Sequence, residues 1–269
     1  MTGFERIAAA FAACRAEGRA ALVTYVMGGD PDHATSRAMA LACAEGGADL
    51  LEIGMPFSDP IADGPVIQLA AERSLAAGTR AADVLRLAAE VRRATPVPIA
   101  LMGYVNPLLS YGEERFLADA EAAGVDALIL PDLPPEEAEG LREKARARGI
   151  ALVNLLAPTS TPERRRQACA TAGGFVYLVS VTGVTGARSE LAEGLPALVS
   201  AVRAESPVPV VVGFGVSAPA QARTLAPLAD GVVVGSAIVR RIAEGGSRTA
   251  RAARVRRFVA SLRRAVARP

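Results

Sequence analysis

Residues 50–65 read Leu50-Leu51-Glu52-Ile53-Gly54-Met55-Pro56-Phe57-Ser58-Asp59-Pro60-Ile61-Ala62-Asp63-Gly64-Pro65. Leu50, Leu51 and Ile53 form a short apolar run bounded by Gly54 and Pro56, the pattern of a buried strand, and Glu52 interrupts it just before its carboxyl end. A carboxylate in that place must be paired, protonated or part of a site. The loop beyond it adds Asp59 and Asp63 among Pro56, Pro60, Gly64 and Pro65, residues that fix backbone angles rather than supply bulk. If the loop folds back over the strand end, Glu52 and Asp63 face one cavity from two sides, which suits acid/base chemistry on a neutral substrate. The alternatives are an ion pair between Glu52 and an Arg on a helix, and a capping role for Asp63 at the helix that starts at Gly64.

Outward from this strand, the same unit recurs. Apolar strand cores fall at 21–27, 49–53, 97–102, 127–130, 151–155, 175–179, 208–212 and 231–234, after a first amphipathic helix at 4–17. Helical patterns lie between them at 34–46, 65–93, 113–123, 135–147, 162–171, 193–204, 217–226 and 236–266. Apolar runs without polar alternation, each followed by a crossover helix, mean parallel strands covered on both faces. Eight such units in one chain predict a single α/β domain over residues 1–269, a closed (β/α)8 TIM barrel with an extra N-terminal helix. The rival, a doubly wound open sheet, usually stops at five or six strands.

Composition narrows the chemistry. With 51% hydrophobic and 22% charged residues the chain reads as a globular protein, and a net charge of +2 points to no nucleic acid or other polyanion. No apolar run approaches about 18 residues, and Glu5 and Arg6 precede an Ala-rich amphipathic stretch, so neither a membrane span nor a secretory signal is expected, and the cytoplasm is the expected compartment. Cys14, Cys43 and Cys169 are isolated in Ala-rich helical patterns and read as core fillers. The one His is His33, and the one Lys, Lys144, lies on a helical surface pattern. Most Ser-His and Cys-His mechanisms, His-based metal sites and Schiff-base lysines are thereby set aside, which leaves carboxylates, Tyr hydroxyls and backbone amides.

A barrel of this kind carries its site at the carboxyl ends of the strands. The polar residues there are Asp30, Glu52, Tyr104, Asn106, Asp132, Asn154 and Ser180, followed by glycines after strands seven and eight. Gly183-Val184-Thr185-Gly186, Gly213-Phe214-Gly215-Val216-Ser217 and Gly235-Ser236 form a series of small residues at the last three strand ends. Glycines let backbone N–H groups approach a ligand, and a helix starting at Ser236 adds its positive end, so these stretches predict a phosphate site that uses no cationic side chain. The segment 180–193 is long for a loop of this type and reads as a lid.

On six stretches the chain resembles the α chain family of tryptophan synthases over essentially its entire length. They are Tyr25-Val26-Met27-Gly28-Gly29-Asp30-Pro31, the run from Leu51 to Pro65, Met102-Gly103-Tyr104-Val105-Asn106-Pro107, Pro131-Asp132-Leu133-Pro134, Tyr177-Leu178-Val179-Ser180 with Gly183 to Gly186, and Gly213 to Ser217. The resemblance implies a lyase that splits indole-3-glycerol phosphate into indole and glyceraldehyde 3-phosphate. It also implies a β chain partner in an α2β2 heterotetramer, to which indole is passed for tryptophan synthesis; that partner carries pyridoxal phosphate, and no cofactor or metal is implied for this chain. By motif, Glu52 corresponds to the general acid/base and Asp63 to the residue that holds the indole N–H. Tyr25 and Tyr177 correspond to pocket residues, Gly186, Gly215, Gly235 and Ser236 to phosphate ligands, and Thr185 to a lid threonine that closes toward Asp63. Loops near 57–60 and 104–107 would face the β chain.

The resemblance agrees with the scarcity of Lys and His, because indole itself can serve as electron sink in a retro-aldol cleavage. Two departures from frequent family residues are Met27-Gly28-Gly29, where Thr-Ala-Gly is common, and Val181-Thr182, where some relatives carry Arg. Rival phosphate-binding barrels, an indole-glycerol-phosphate synthase or a sugar-phosphate isomerase, would bring a catalytic Lys, a His metal set or a second strand-end Glu. A barrel kept only as an activating subunit would have no need of both Glu52 and Asp63.

Overall fold

The apolar runs form eight strands, β1 Ala21–Met27, β2 Leu50–Gly54, β3 Ile99–Met102, β4 Ala127–Ile129, β5 Ala151–Leu156, β6 Val176–Val179, β7 Val210–Gly213 and β8 Gly231–Val234. They follow one another in chain order around a closed parallel barrel in which β8 pairs back onto β1. The structure, a computed structural model, describes residues 1–179, 194–213 and 215–267. The helices are α1 Gly3–Ala16, α2 His33–Glu45, α3 Pro65–Ala76, α4 Ala81–Ala94, α5 Val105–Tyr111, α6 Glu113–Ala122, α7 Glu139–Ala147, α8 Pro162–Thr171, α9 Leu195–Glu205, α10 Pro219–Leu225, α11 Ser236–Ala243 and α12 Arg248–Ala265.

The two-residue period of a strand sorts side chains between two cores. Leu22 and Val26 of β1 and Leu51 and Ile53 of β2 pack outward into a continuous layer beneath the helices. Val23, Leu50, Ala100, Ala127, Val153, Phe175 and Val211 fill the barrel instead, together with Ile7, Phe11 and Cys14 of α1. Helix α1 begins with a capping box, in which Thr2 N–H donates to Glu5 at 2.7 Å and Glu5 N–H to the Thr2 hydroxyl at 3.3 Å. It stoppers the amino end of the barrel, where Gly3 N–H bonds Gly149 O at 2.8 Å. The three cysteines are free and buried, in keeping with a packing role.

At the stoppered end one device recurs before every second strand but one. Asp49, Asp126 and Asp230 precede β2, β4 and β8, and each accepts a backbone N–H near the start of the preceding strand, from Leu22 at 2.8 Å, Ile99 at 2.7 Å and Val210 at 3.0 Å. Each is also gripped by arginine: Arg19 on Asp49 at 2.6 and 2.8 Å, Arg6 and Arg92 together on Asp126, and Arg203 on Asp230 at 3.0 Å. Burial raises the Asp126 pKa, opposed by the Ile99 N–H and by the two guanidinium groups. Asp126→Ala removes the anion from between two cations and orphans a buried N–H, so we expect a loss of about 3 kcal/mol in urea unfolding at neutral pH. A loss below about 1 kcal/mol would mean that the cluster is ornamental.

The long helical patterns at 65–93 and 236–266 are each two helices. The first breaks after α3 at Gly78, with φ +82°, and the second after α11 at Gly245 and Gly246, with φ +82° and +94°. These conformations favour glycine and end a helix. Helix α5 was not expected, because Pro107 makes its segment read as loop. Proline is tolerated in a first helical turn, and here the Asp132 carboxylate accepts the Val105 N–H at 3.1 Å to both oxygens, which starts the helix from across the next strand.

Candidate active site

Glu52 lies inside the barrel because Leu50, Glu52 and Gly54 share one parity on β2, with Tyr25 of β1 and Ala100 of β3 as its register partners. It is 1% exposed, and among the described residues neither carboxyl oxygen has a hydrogen-bond partner. The ion pair with a helix Arg is therefore not the arrangement found. Burial pushes the Glu52 pKa up to about 8, so at neutral pH the group is an uncharged acid with its proton available.

The loop after β2 folds back over this position. Met55 N–H bonds Met102 O at 2.7 Å, Asp63 N–H bonds Pro60 O at 3.0 Å, and Gln68 Nε2 donates to Asp63 O at 2.8 Å. Helix α3 uses Gly64 as N-cap with no side-chain capping bond, so the Asp63 carboxylate is not spent on the helix. Burial raises the Asp63 pKa to about 6, and the nearby Tyr104 hydroxyl pulls the other way. The two acids thus differ in environment: one neutral and the other ionised near pH 7.

Tyr25 and Tyr177 are 5% and 7% exposed, and burial pushes both phenols well above their ordinary range. Each also feels both carboxyl groups, Tyr25 first Asp63 and then Glu52, Tyr177 first Glu52 and then Asp63, so the four groups lie near one another. Gly54 and Gly213 give the two rings their places. A Cβ on Gly54 would lie 2.0 Å from the Tyr25 hydroxyl, and one on Gly213 would lie 2.8 Å from the Tyr177 hydroxyl. From sequence, Gly54 reads as a strand boundary and Gly213 as part of a phosphate stretch, neither as the seat of a tyrosine ring. Their positions at the strand ends, two residues beyond the register partner of a tyrosine on the neighbouring strand, are the available signal.

Gly215 follows β7 with φ +58° and, among the described residues, open space beside it, and Gly235 and Ser236 follow β8. Helix α11 starts at Ser236 behind Gly235 with no side-chain cap, so the N–H groups of its first residues have no acceptor within the helix. Small residues on adjacent strand ends plus a helix N-terminus can hold an anion. Thr185, Gly186, Ser180 and the rest of the 180–193 lid segment lie outside the described residues.

The other strand-end polar residues do other work. Asn154 points outward, donating to Ala168 O at 2.8 Å and the Thr171 hydroxyl at 2.9 Å on α8. Asp30 is held by both arms of Arg73 at 2.7 and 2.8 Å, Asp132 caps α5, and Asn106 is exposed on that helix. Tyr104, 3% exposed, does reach the cavity. Lys144 lies on α7, paired with Glu113 at 2.6 Å and Glu114 at 3.0 Å.

A family model described as tryptophan synthase alpha chain matches residues 11–267. The chain is 51% identical over 261 residues to the tryptophan synthase alpha chain of Geobacter sulfurreducens, covering 97% of this chain and 98% of that one. It is 49% identical over 263 residues to the alpha chain of Halorhodospira halophila, covering 97% and 96%. Among solved structures, one of Mycobacterium tuberculosis tryptophan synthase superposes with a TM-score of 0.90 at 40% identity, covering 98% of this chain and 99% of that one.

Proposed function

The chain belongs to the tryptophan synthase alpha chain family, which cleaves indole-3-glycerol phosphate to indole, and from that premise we propose that Glu52 and Asp63 perform the cleavage here. The observation that carries this reading is a fully buried, unpartnered Glu52 facing the same two tyrosines as a second acid of lower pKa. Protonated Glu52 donates to ring C3 of the indole, and positive charge develops at N1, where the Asp63 carboxylate accepts the N–H and stabilises it. The Glu52 carboxylate so formed then takes the proton of the side-chain hydroxyl. The bond from C3 to the glycerol carbon breaks, its electron pair restores the indole, and the hydroxyl carbon becomes the aldehyde of glyceraldehyde 3-phosphate. Glu52 ends protonated, ready for the next turnover.

Tyr25 and Tyr177 wall the ring, while Gly215, Gly235 and Ser236 bind the phosphate through backbone N–H groups and the dipole of α11. Thr185 and Gly186 complete that reading from sequence. We place the whole chain in one domain and in the cytoplasm. The β chain partner, in an α2β2 assembly, holds the pyridoxal phosphate and takes up the indole; this chain's own chemistry needs no cofactor. No helix among the described residues is long and apolar enough to cross a membrane.

The two pKa values set the test. Asp63 must be ionised, so activity falls as pH drops through about 6, and Glu52 must be protonated, so activity falls as pH rises through about 8. Indole release at low substrate should therefore trace a bell with its maximum between those values. A profile without the acid limb would detach Asp63 from the reaction, and one without the alkaline limb would detach Glu52.

A further inference from the structure

We infer that Tyr104 is a positioning residue for Asp63: its hydroxyl is fastened to the loop by the Ala62 N–H, which turns the phenolic proton toward the Asp63 carboxylate. The inference deepens the reading of Asp63 given above and rests on it. Tyr104 stands between the end of β3 and the start of α5, with its ring against Phe57 at a centroid distance of 5.3 Å. Its oxygen accepts the Ala62 N–H at 3.0 Å. A phenol has one proton to give, and with a lone pair committed to that N–H the proton turns to another acceptor. On this inference the acceptor is Asp63, one residue further along the loop from the anchoring Ala62. The Tyr104 backbone is itself pinned, because the next residue, Val105, gives its N–H to Asp132.

The groups facing Asp63 come from each neighbouring element. Tyr25 stands on β1, Glu52 on β2, Tyr104 after β3 and Tyr177 on β6, while Asp132, after β4, acts on Tyr104 rather than on Asp63. Of these, the Tyr104 hydroxyl is the one that favours the anion against the burial that disfavours it. It therefore does two things at once: it keeps Asp63 charged at neutral pH, and it fixes the direction in which the remaining lone pairs point. An indole N–H needs both.

Tyr104→Phe keeps the ring against Phe57 and removes only the hydroxyl. In this variant kcat/KM at neutral pH should fall about tenfold, and the acid limb of its pH profile should move up by about one unit, because the carboxylate has lost its donor. The alkaline limb should stay in place. In the double variant Asp63→Asn with Tyr104→Phe, the second change should cost nothing beyond the first, since its effect runs through Asp63. An acid limb that stays where it is in the wild type, or full additivity in the double variant, would overturn the inference. If instead Asp63→Asn alone cleaves at the wild-type rate, the role of Asp63 itself falls, whatever Tyr104 does.

Discussion

Glu52→Gln should abolish indole release from indole-3-glycerol phosphate and leave the barrel folded. The amide has the size and shape of the acid but no ionisable proton, so neither the donation to C3 nor the later removal of the hydroxyl proton can occur. Loss of a positioned acid/base costs about 10²- to 10⁴-fold, and because Glu52 serves two successive transfers the upper end of that range is expected. Stability should move in the opposite direction. A carboxyl whose pKa is about 8 when folded and near the ordinary 4.5 when unfolded adds nothing below the lower value. Above it the unfolded chain releases a proton that the folded chain retains, and stability falls as pH rises through that window. At pH 7 the native side chain thus costs the fold about 3 kcal/mol. Glutamine escapes the ionisation term but retains an unpartnered amide, so it recovers part of it. The Gln variant should melt higher than wild type at neutral pH, and the difference should shrink as pH approaches about 4. Turnover within about tenfold of wild type would remove Glu52 from the mechanism.

The second large effect belongs to Asp63. In Asp63→Asn a neutral amide oxygen can still accept the indole N–H, but it offers no charge to the cation forming at N1. Charge-assisted bonds exceed neutral ones by about twofold in strength, and in a water-poor cavity the difference is read mainly in the transition state, so kcat/KM should drop about 100-fold. The more specific outcome is the shape of the profile. With the group of pKa about 6 removed, the residual activity should lose its acid limb, while the limb near 8 persists. Unchanged kcat/KM, or an acid limb that survives, would reduce Asp63 to a loop residue.

The barrel was legible because parallel strands covered on both faces must be apolar along their whole length, and eight such runs stand out of this sequence. Glu52 was legible for the same reason, as a charge in a segment that tolerates none. Asn154 misled because position along a strand was read without parity: Ala151 and Val153 face the barrel, so Asn154 faces α8. Counting by twos from either neighbour would have placed it. The split of the long helices rested on glycines whose left-handed conformation is a property of the fold, although Gly245-Gly246 was a visible breaker. The bond between Tyr104 and Ala62 joins residues 42 apart in sequence, and no local pattern announces it.

Because α1 plugs the floor of the barrel, the bore is a dead end. Among the described residues that floor is packed shut, so keeping solvent from the reacting ring falls to whatever covers the opposite rim. Any neighbour that seats itself on that rim becomes the chamber's one doorway, and the fragment that leaves has nowhere else to go.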